Sequence, residues 1–508
     1  MGWLGTQRAV DKIESQKLRQ LGPSECFQLT QTLSGSYCAC ALTCRYTMTR
    51  SERSSIKDIF EKALAFTILE HSSLQVGIAC EDTKRPVWVK LSQIHFRQCL
   101  EWYTADDDDL DQVLLKTLET QHSTRFVKLE SKPQWRVIVL HSVRNNSLEV
   151  VFVANHAASD GMGARIFHET LLFGLNTPPS NWVRTHFKDH VLHIPELFTM
   201  TSSVEQMLDF PLSTGFLLTE GWRGLRPSVL APNLPWEAHW APIYPYHCVT
   251  RINILRVDDF ILQRLVATCR RNKTSLTGLL HALMLLAMAT RLPRTKAKAF
   301  IAGTPISLRS FMTSNPNGNG GTDPHRVVGN MITSCYHKFG ESLVTEMRQY
   351  ANSLRVDMKV SPRLESLIWS TALEVKTTLN KKLDAGLKND LVGLSKLVTD
   401  WKAYFKTESK KPRLLSWELS NIGKVDNTLI EDSGVQENDQ LWNVEGALFS
   451  QSATAIGPAI CVNPVTVQGK GLVISFSWQV DVVDEELMHG IIKDLRSWIH
   501  SLVLHDKH

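Results

Sequence analysis

The stretch that most constrains this chain is Val150-Val151-Phe152-Val153-Ala154-Asn155-His156-Ala157-Ala158-Ser159-Asp160-Gly161. Its apolar run is too short for a long helix and rich in β-branched and aromatic residues, which predicts a buried strand. Small residues then break the run, setting His156 and Asp160 four positions apart just ahead of Gly161. From Gly163 to Leu172 the spacing turns helical. A strand that delivers one imidazole into such a turn can place a general base. Histidine titrates near neutrality, so it can take a proton from a hydroxyl or amine and return it to a leaving group. Asp160 can fix the turn through its own pairing. Gly161 is expected to let the backbone turn where a side chain would obstruct substrate.

The flanks fit this picture. Trp135 to His141 and Leu148 to Asn155 are two apolar runs joined by Arg144-Asn145-Asn146-Ser147, a hairpin signal that puts His156 at the far end. Upstream, Glu25 to Tyr46 is consistent with a strand, Ile56 to Ala65 begins a helix ending near His71, and Val87 to Leu91 is strand-like. Asp106 to Asp109 does not suggest a metal site, because consecutive carboxylates do not point together; a loop or helix start is expected. Residues 176–245, rich in Pro and Trp with weak periodicity, are expected to link an N-terminal unit (1–175) to a C-terminal one (246–508).

The later segment opens with a strand over Cys248 to Val257 and a helix from Phe260 to Arg271. Gly278 to Arg291 is apolar all round, which implies a buried helix. Ala299 to Ile306 predicts a strand, and Ser314 to Asp323 a loop that lacks the Lys-Ser/Thr ending of a phosphate-cradling loop. A Lys-rich helical region covers roughly 340–408, and Leu414 to Ser420, Ala459 to Val467 and Gly471 to Val480 predict strands. The closing helix, Glu485 to Val503, gathers its apolar residues on one face.

Composition narrows the function. A chain of 508 residues with 43% hydrophobic and 21% charged residues is globular and long enough for more than one core. The formal charge of +5 is spread thinly and forms no basic stripe with interleaved aromatics, so nucleic acid is not an expected partner. The ten cysteines have no zinc-ligand spacing, no His-Glu-x-x-His is present, and no metal is expected. No Gly-x-Ser-x-Gly elbow supports a serine hydrolase. No apolar run approaches the ~18 residues of a membrane span, so a cytoplasmic protein with reduced thiols is expected. Met1 to Thr6 superficially fits an N-myristoylation pattern, discounted because the bulky Trp3 adjoins the acceptor glycine.

The His-x-x-x-Asp-Gly pattern at a strand end resembles the active-site motif of the chloramphenicol-acetyltransferase-like superfamily. Phe152 to Phe167-His168 is most similar to its fungal alcohol acetyltransferase family. The resemblance implies an α/β fold of two subdomains, each a mixed sheet flanked by helices, with an active-site tunnel between them. It implies His156 as base and Asp160 in a structural role. Pro305-Ile306-Ser307-Leu308-Arg309 resembles the superfamily's arginine-bearing strand end, making Arg309 the expected partner of Asp160, and Val328-Gly329-Asn330 resembles its Gly-Asn. Leu419-Ser420-Asn421-Ile422-Gly423 is similar to the Ser-Asn-x-Gly strand end of the fungal enzymes, so Ser420 or Asn421 is expected near the site as an oxyanion donor.

The activity implied is O-acylation of a hydroxylated small molecule, plausibly a fungal secondary metabolite, by an acyl-CoA donor, acetyl-CoA above all, with no acyl-enzyme and with the protein acting as a monomer. N-acetylation and carrier-protein-dependent condensation on the same fold are the alternatives. Asn155 stands where condensation domains usually carry a second histidine, and the plant branch's Asp-Phe-Gly-Trp-Gly motif is missing; these departures favour free acyl-CoA and argue against a plant-type enzyme. Relatives can use terminal amphipathic helices at lipid surfaces, but core packing is the preferred reading of the closing helix, so peripheral membrane contact is not favoured.

Overall fold

A computed structural model describes residues 16–49, 55–142, 144–225, 234–245, 248–312, 323–351, 361–425 and 441–504. Met1 to Thr6 and nearly all of the Ser314–Asp323 loop lie outside them. The architecture is mixed α/β, built on two large mixed sheets.

The first sheet has five strands, in the order Trp442–Gln451, Cys40–Met48, Ser147–Ala154, Trp135–Ser142, Leu100–Thr104. The hairpin forms as expected, with Ser142 opposite Ser147 and Trp135 opposite Ala154. The unbroken apolar run of its second strand has a simple cause: both faces are covered. Val150, Phe152 and Ala154 enter a core with the helices Ile56–Glu70 and Gly161–Asn176, while Val151 and Val153 enter another with the helix Leu110–Ser123. Phe152 stacks on Phe167 at 3.9 Å between ring centroids, fastening the helix to the strand on either side of the turn between them. A pair of this kind contributes ~0.5–1.5 kcal/mol beyond its buried area.

The second sheet runs Thr250–Val257, Leu472–Gln479, Ile460–Val467, Trp417–Leu419, Phe300–Ser307, Ile332–Phe339, with Lys424–Val425 also beside Ile460–Val467. Helices cover one face. Leu276–Arg291 is buried at every position from Gly278 to Ala289, as its all-round apolarity implies, and the closing helix Glu485–Leu504 packs its apolar face into the same core.

Several elements depart from expectation, among them the strands Leu100–Thr104 and Ile332–Phe339, which the sequence patterns do not predict. The span Glu25 to Tyr46 begins as a helix, Pro23–Ser34, and becomes a strand only at Cys40. Glu25 closes the helix start by accepting from the Gly22 amide at 2.7 Å, a capping signal the apolar pattern hides. The strand Trp442–Gln451 is not among those predicted. It bulges between Val444 and Gly446, which breaks the two-residue alternation, and it joins the first sheet although the strands that follow it belong to the second. The nominal linker 176–245 also contains a helix, Thr214–Leu225.

Candidate active site

The strand Ser147–Ala154 ends at Asn155, and every polar group of that residue is used. Its amide N–H donates to the Gln134 carbonyl (2.9 Å) and its Nδ2 to Gln134 Oε1 (2.9 Å). Its Oδ1 accepts from the Ala157 amide (3.1 Å) and Thr32 Oγ1 (3.2 Å), and its carbonyl accepts from the amides of Ala158 and Ser159. Asn155 therefore ties the turn to the strand edge and leaves His156 little freedom. A fully buried Asn at the exit of a buried strand is the signal that reveals such a role.

His156 is 6% exposed, with Tyr37 tilted against it at 5.6 Å between ring centroids. Nδ1 is wholly buried and has no hydrogen-bond partner among the described residues, so what exposure remains lies elsewhere on the residue. Burial pushes the imidazole pKa below its usual value, and the charge of Asp160 and a backbone carbonyl only partly oppose this. The ring is thus held neutral, as a base must be before it takes a proton.

Asp160 is held in a clamp of its own. Oδ1 accepts from the Gly163 amide (2.7 Å), capping the helix Gly161–Asn176. Oδ2 accepts from Arg309 Nη1 (2.8 Å) and the Met331 amide (2.9 Å). Burial alone would raise this carboxyl, but Arg309 and these hydrogen bonds outweigh it and hold the pKa below the ordinary carboxylate value. Arg309, just past the strand Phe300–Ser307, also donates to the carbonyls of Val327 (2.9 Å from Nη2) and Gly329 (3.2 Å). The Asp160 amide donates to that same Gly329 carbonyl (3.1 Å). Both side chains of the pair are 1% exposed. Strand ends from the two sheets are thereby locked together around the histidine turn.

The remaining candidates fare differently. Gly161 has no left-handed backbone and simply begins the helix. Its missing Cβ makes room for Ile422 and Phe449, which would stand 2.7 and 2.8 Å from it, so close packing and not clearance for substrate explains this glycine. That contact also brings the Ser420-Asn421-Ile422 segment to the motif. Asn421 is exposed: Oδ1 accepts from the Gly423 amide (2.9 Å) and Nδ2 donates to Thr277 Oγ1 (3.1 Å), which uses one of its two N–H groups. Ser420 is half-buried, and its amide donates to the Val462 carbonyl. Asn330 is buried with its Oδ1 unpartnered, and it lines a small cavity with Ala157, Ala158, Val328 and Gly329. The cavity is walled by the two residues after His156 and not by its ring. A larger cavity lies alongside, between Ser72, Trp182 and Thr199 on one side and Arg326 to Val328 on the other. No group of three or more potential metal-ligating side chains occurs among the described residues.

Comparison with known proteins gives this geometry a context. Residues 91–331 match the family model described as alcohol acetyltransferase. The probable alcohol acetyltransferase FCK4 of Fusarium pseudograminearum is 26% identical over 89% of this chain and 87% of its own length. Among solved structures, the TRI3 trichothecene 15-O-acetyltransferase of Fusarium sporotrichioides shares the fold with a TM-score of 0.67 at 12% identity, covering 95% of this chain and 94% of that one. The condensation domain of the monacolin K polyketide synthase MokA superposes with a TM-score of 0.56 at 11% identity, covering 97% of each chain.

Proposed function

We propose, from the match of residues 91–331 to the alcohol acetyltransferase family model, the similarity to probable alcohol acetyltransferases and the fold shared with TRI3, that this chain is an acyltransferase of the two-subdomain chloramphenicol-acetyltransferase-like fold and transfers acetyl from acetyl-CoA to a hydroxyl of a small organic molecule, with His156 as general base. The observation that carries this reading is that no other described residue hydrogen-bonds to either ring nitrogen of His156. The ring is held neutral and Nδ1 is wholly enclosed, which leaves Nε2 as the nitrogen an acceptor can reach, on a turn that Asn155, Asp160 and Arg309 fix.

In the step this implies, Nε2 of His156 takes the acceptor's O–H proton as its oxygen attacks the thioester carbonyl. The tetrahedral intermediate then collapses, the C–S bond breaks, and the proton passes from His156 to the departing CoA sulfur. The products are an acetyl ester and free CoA thiol. Every cysteine with a resolved shift is pushed up by burial, Cys44 well above the ordinary thiol value, which supports direct transfer without an acyl-enzyme. Ser420, half-buried where Asn421 is exposed, is the better placed of the two oxyanion-donor candidates. The cavity bordered by Arg326 to Val328 suits entry of the donor, whose pantetheine arm would then reach toward the turn.

Incubating the full chain with acetyl-CoA and a panel of alcohols and amines, and following thiol release, tests the reading. Release with alcohols supports it; release with amines alone reassigns the nucleophile. Release only in the presence of a loaded carrier protein moves the protein to the carrier-dependent class.

A further inference from the structure

Residues 195–202 run from the strand Val191–His193 to the short helix Val204–Met207 and wall both cavities beside the histidine turn. The cavities adjoin, since Ser73, Thr201 and Val328 line each of them. Both ends of the segment are fixed. The Ile194 amide donates to the Ser92 carbonyl (3.0 Å), and Glu205 Oε1 accepts from the Ser24 amide (2.7 Å). Between those ends, no backbone group of 195–202 bonds to another backbone group among the described residues. Two long side chains hold it instead. Lys90 Nζ donates to the carbonyls of Pro195 (3.2 Å) and Glu196 (3.4 Å), and Arg19 Nε donates to that of Thr201 (2.9 Å). Phe198 and Met200 rest half-buried on the cores of the first sheet. A segment with so few backbone bonds opens at low cost.

Leu197 is 97% exposed, the highest value of any large hydrophobic side chain among the described residues, although it lines a cavity of about 260 Å³. Trp182, 52% exposed, lines the same cavity. A lone exposed leucine needs no account. Two large apolar groups beside one cavity, the first of them on a loosely bonded segment with fixed ends, can be buried together by a short inward movement. Deeper in, two polar atoms await a partner. Ser73 Oγ, on the wall shared by the cavities, and Asn330 Oδ1, on the smaller one, are buried with no hydrogen-bond partner among the described residues. A ligand lying there would satisfy both, and an unsatisfied buried group is costly.

We propose that residues 195–202 are a flap that closes over the acyl-CoA in the larger cavity, with Leu197 as the side chain that seals it. In the closed state Leu197 leaves water and packs on the bound molecule across from Trp182. A lid of this kind commits a bound substrate and shields it from solvent. The identity of the ligand as acyl-CoA rests on the acetyl-transfer reading; the hinged ends and the exposed leucine do not.

Hydrogen exchange on the full chain, with and without CoA, reads the flap, and titration calorimetry with CoA reads the affinity. The amides of 196–202 should exchange rapidly in the free protein and slow by ~10-fold or more at saturating CoA. Leu197→Ser should weaken CoA binding by ~10-fold or more, the order expected when a leucine is no longer buried in the complex. Its denaturation midpoint should stay where it is, because the leucine is already in water in the free protein. Leu197→Met should keep most of the affinity. Amides of 196–202 that are slow without CoA, or indifferent to it, overturn the flap. So does a Leu197→Ser variant that binds CoA like the wild type or unfolds more readily. Thiol release on the same preparations keeps the two readings apart. Slowing by CoA without release to any acceptor defeats acetyl transfer and leaves the flap standing; release from a protein whose 196–202 amides CoA does not slow does the reverse.

Discussion

His156 and His168 belong to one strand–turn–helix unit, the first in the turn and the second midway along the helix, and both are buried with imidazole pKa values pushed down by desolvation, His168 to about 4. Their surroundings differ in one respect. His168 Nδ1 lies 2.8 Å from Tyr46 Oη and its Nε2 lies 2.8 Å from the Leu42 carbonyl, so both nitrogens are satisfied and the ring bolts the helix to the neighbouring strand. At His156 the polar wiring belongs to the residues around the ring, Asn155 and Asp160, while Nδ1 has none among the described residues. Burial and a depressed pKa are common to a structural and a reactive histidine. Whether the ring's nitrogens are already spoken for is what separates them.

The sharpest way to break this contrast is to remove each ring. His156→Ala is expected to lower the rate of thiol release by ~10²-fold or more, the usual scale of general-base catalysis, with little change in the denaturation midpoint. His168→Ala is expected to do the opposite. Stranding the Leu42 carbonyl and opening a cavity should cost roughly 2–4 kcal/mol in denaturant unfolding, while the folded fraction stays active. A variant of His156 that keeps its activity, or one of His168 that keeps full stability, ends the comparison.

The clamp tests the same contrast through stability alone. Breaking a buried ion pair by removing one partner costs ~3–5 kcal/mol, so Asp160→Ala and Arg309→Ala should each unfold at markedly lower denaturant concentration. Because the folded Asp160 carboxyl is held below its unfolded value of 3.8, its contribution is present above that pH and fades as pH falls through the lower folded value. The stability gap between wild type and Asp160→Asn should accordingly narrow on acidification below 3.8. A gap independent of pH there would show that the charge of Asp160 is not what stabilises the turn.

The smallest expected effect is in the pH profile. Desolvation favours the neutral imidazole of His156, so the base form persists to lower pH than for a solvated histidine. The acid limb of kcat/KM should therefore fall below the ordinary 6.5, with activity rising as pH increases through it. A limb at or above 6.5 would mean that the charge of Asp160 dominates the ring and that His156 is not the desolvated base described.

Much of this was legible before any coordinates. The unbroken run from Val150 to Val153 called for a strand covered on both faces, and the sheet supplies two cores for it. The hairpin, the buried helix Leu276–Arg291 and the strand leading to Arg309 follow from local patterns, and the resemblance pointed to the Asp160–Arg309 pair that forms. What stayed hidden depends on distant chain. Gly161 reads as turn freedom until Ile422 and Phe449 are seen against it. Tyr37 carries no motif, and only the fold brings it to His156, from the segment just ahead of the strand Cys40–Met48. Trp442–Gln451 escapes because a bulge spoils its alternation and its partner, Cys40–Met48, lies far back in the sequence.

That last strand also sets a timetable for synthesis. It supplies the edge of the first sheet, the Gln451 amide that receives Tyr37, and the Phe449 ring beside Gly161. A ribosome that has delivered His156, Asp160 and even Arg309 has still not delivered the means to finish the site. Until residue 451 emerges, the Cys40–Met48 strand presents an unpaired edge, the kind of surface on which nascent chains aggregate. A message truncated before Trp442 is thus expected to yield a chain that carries the whole motif without the strand that completes its surroundings.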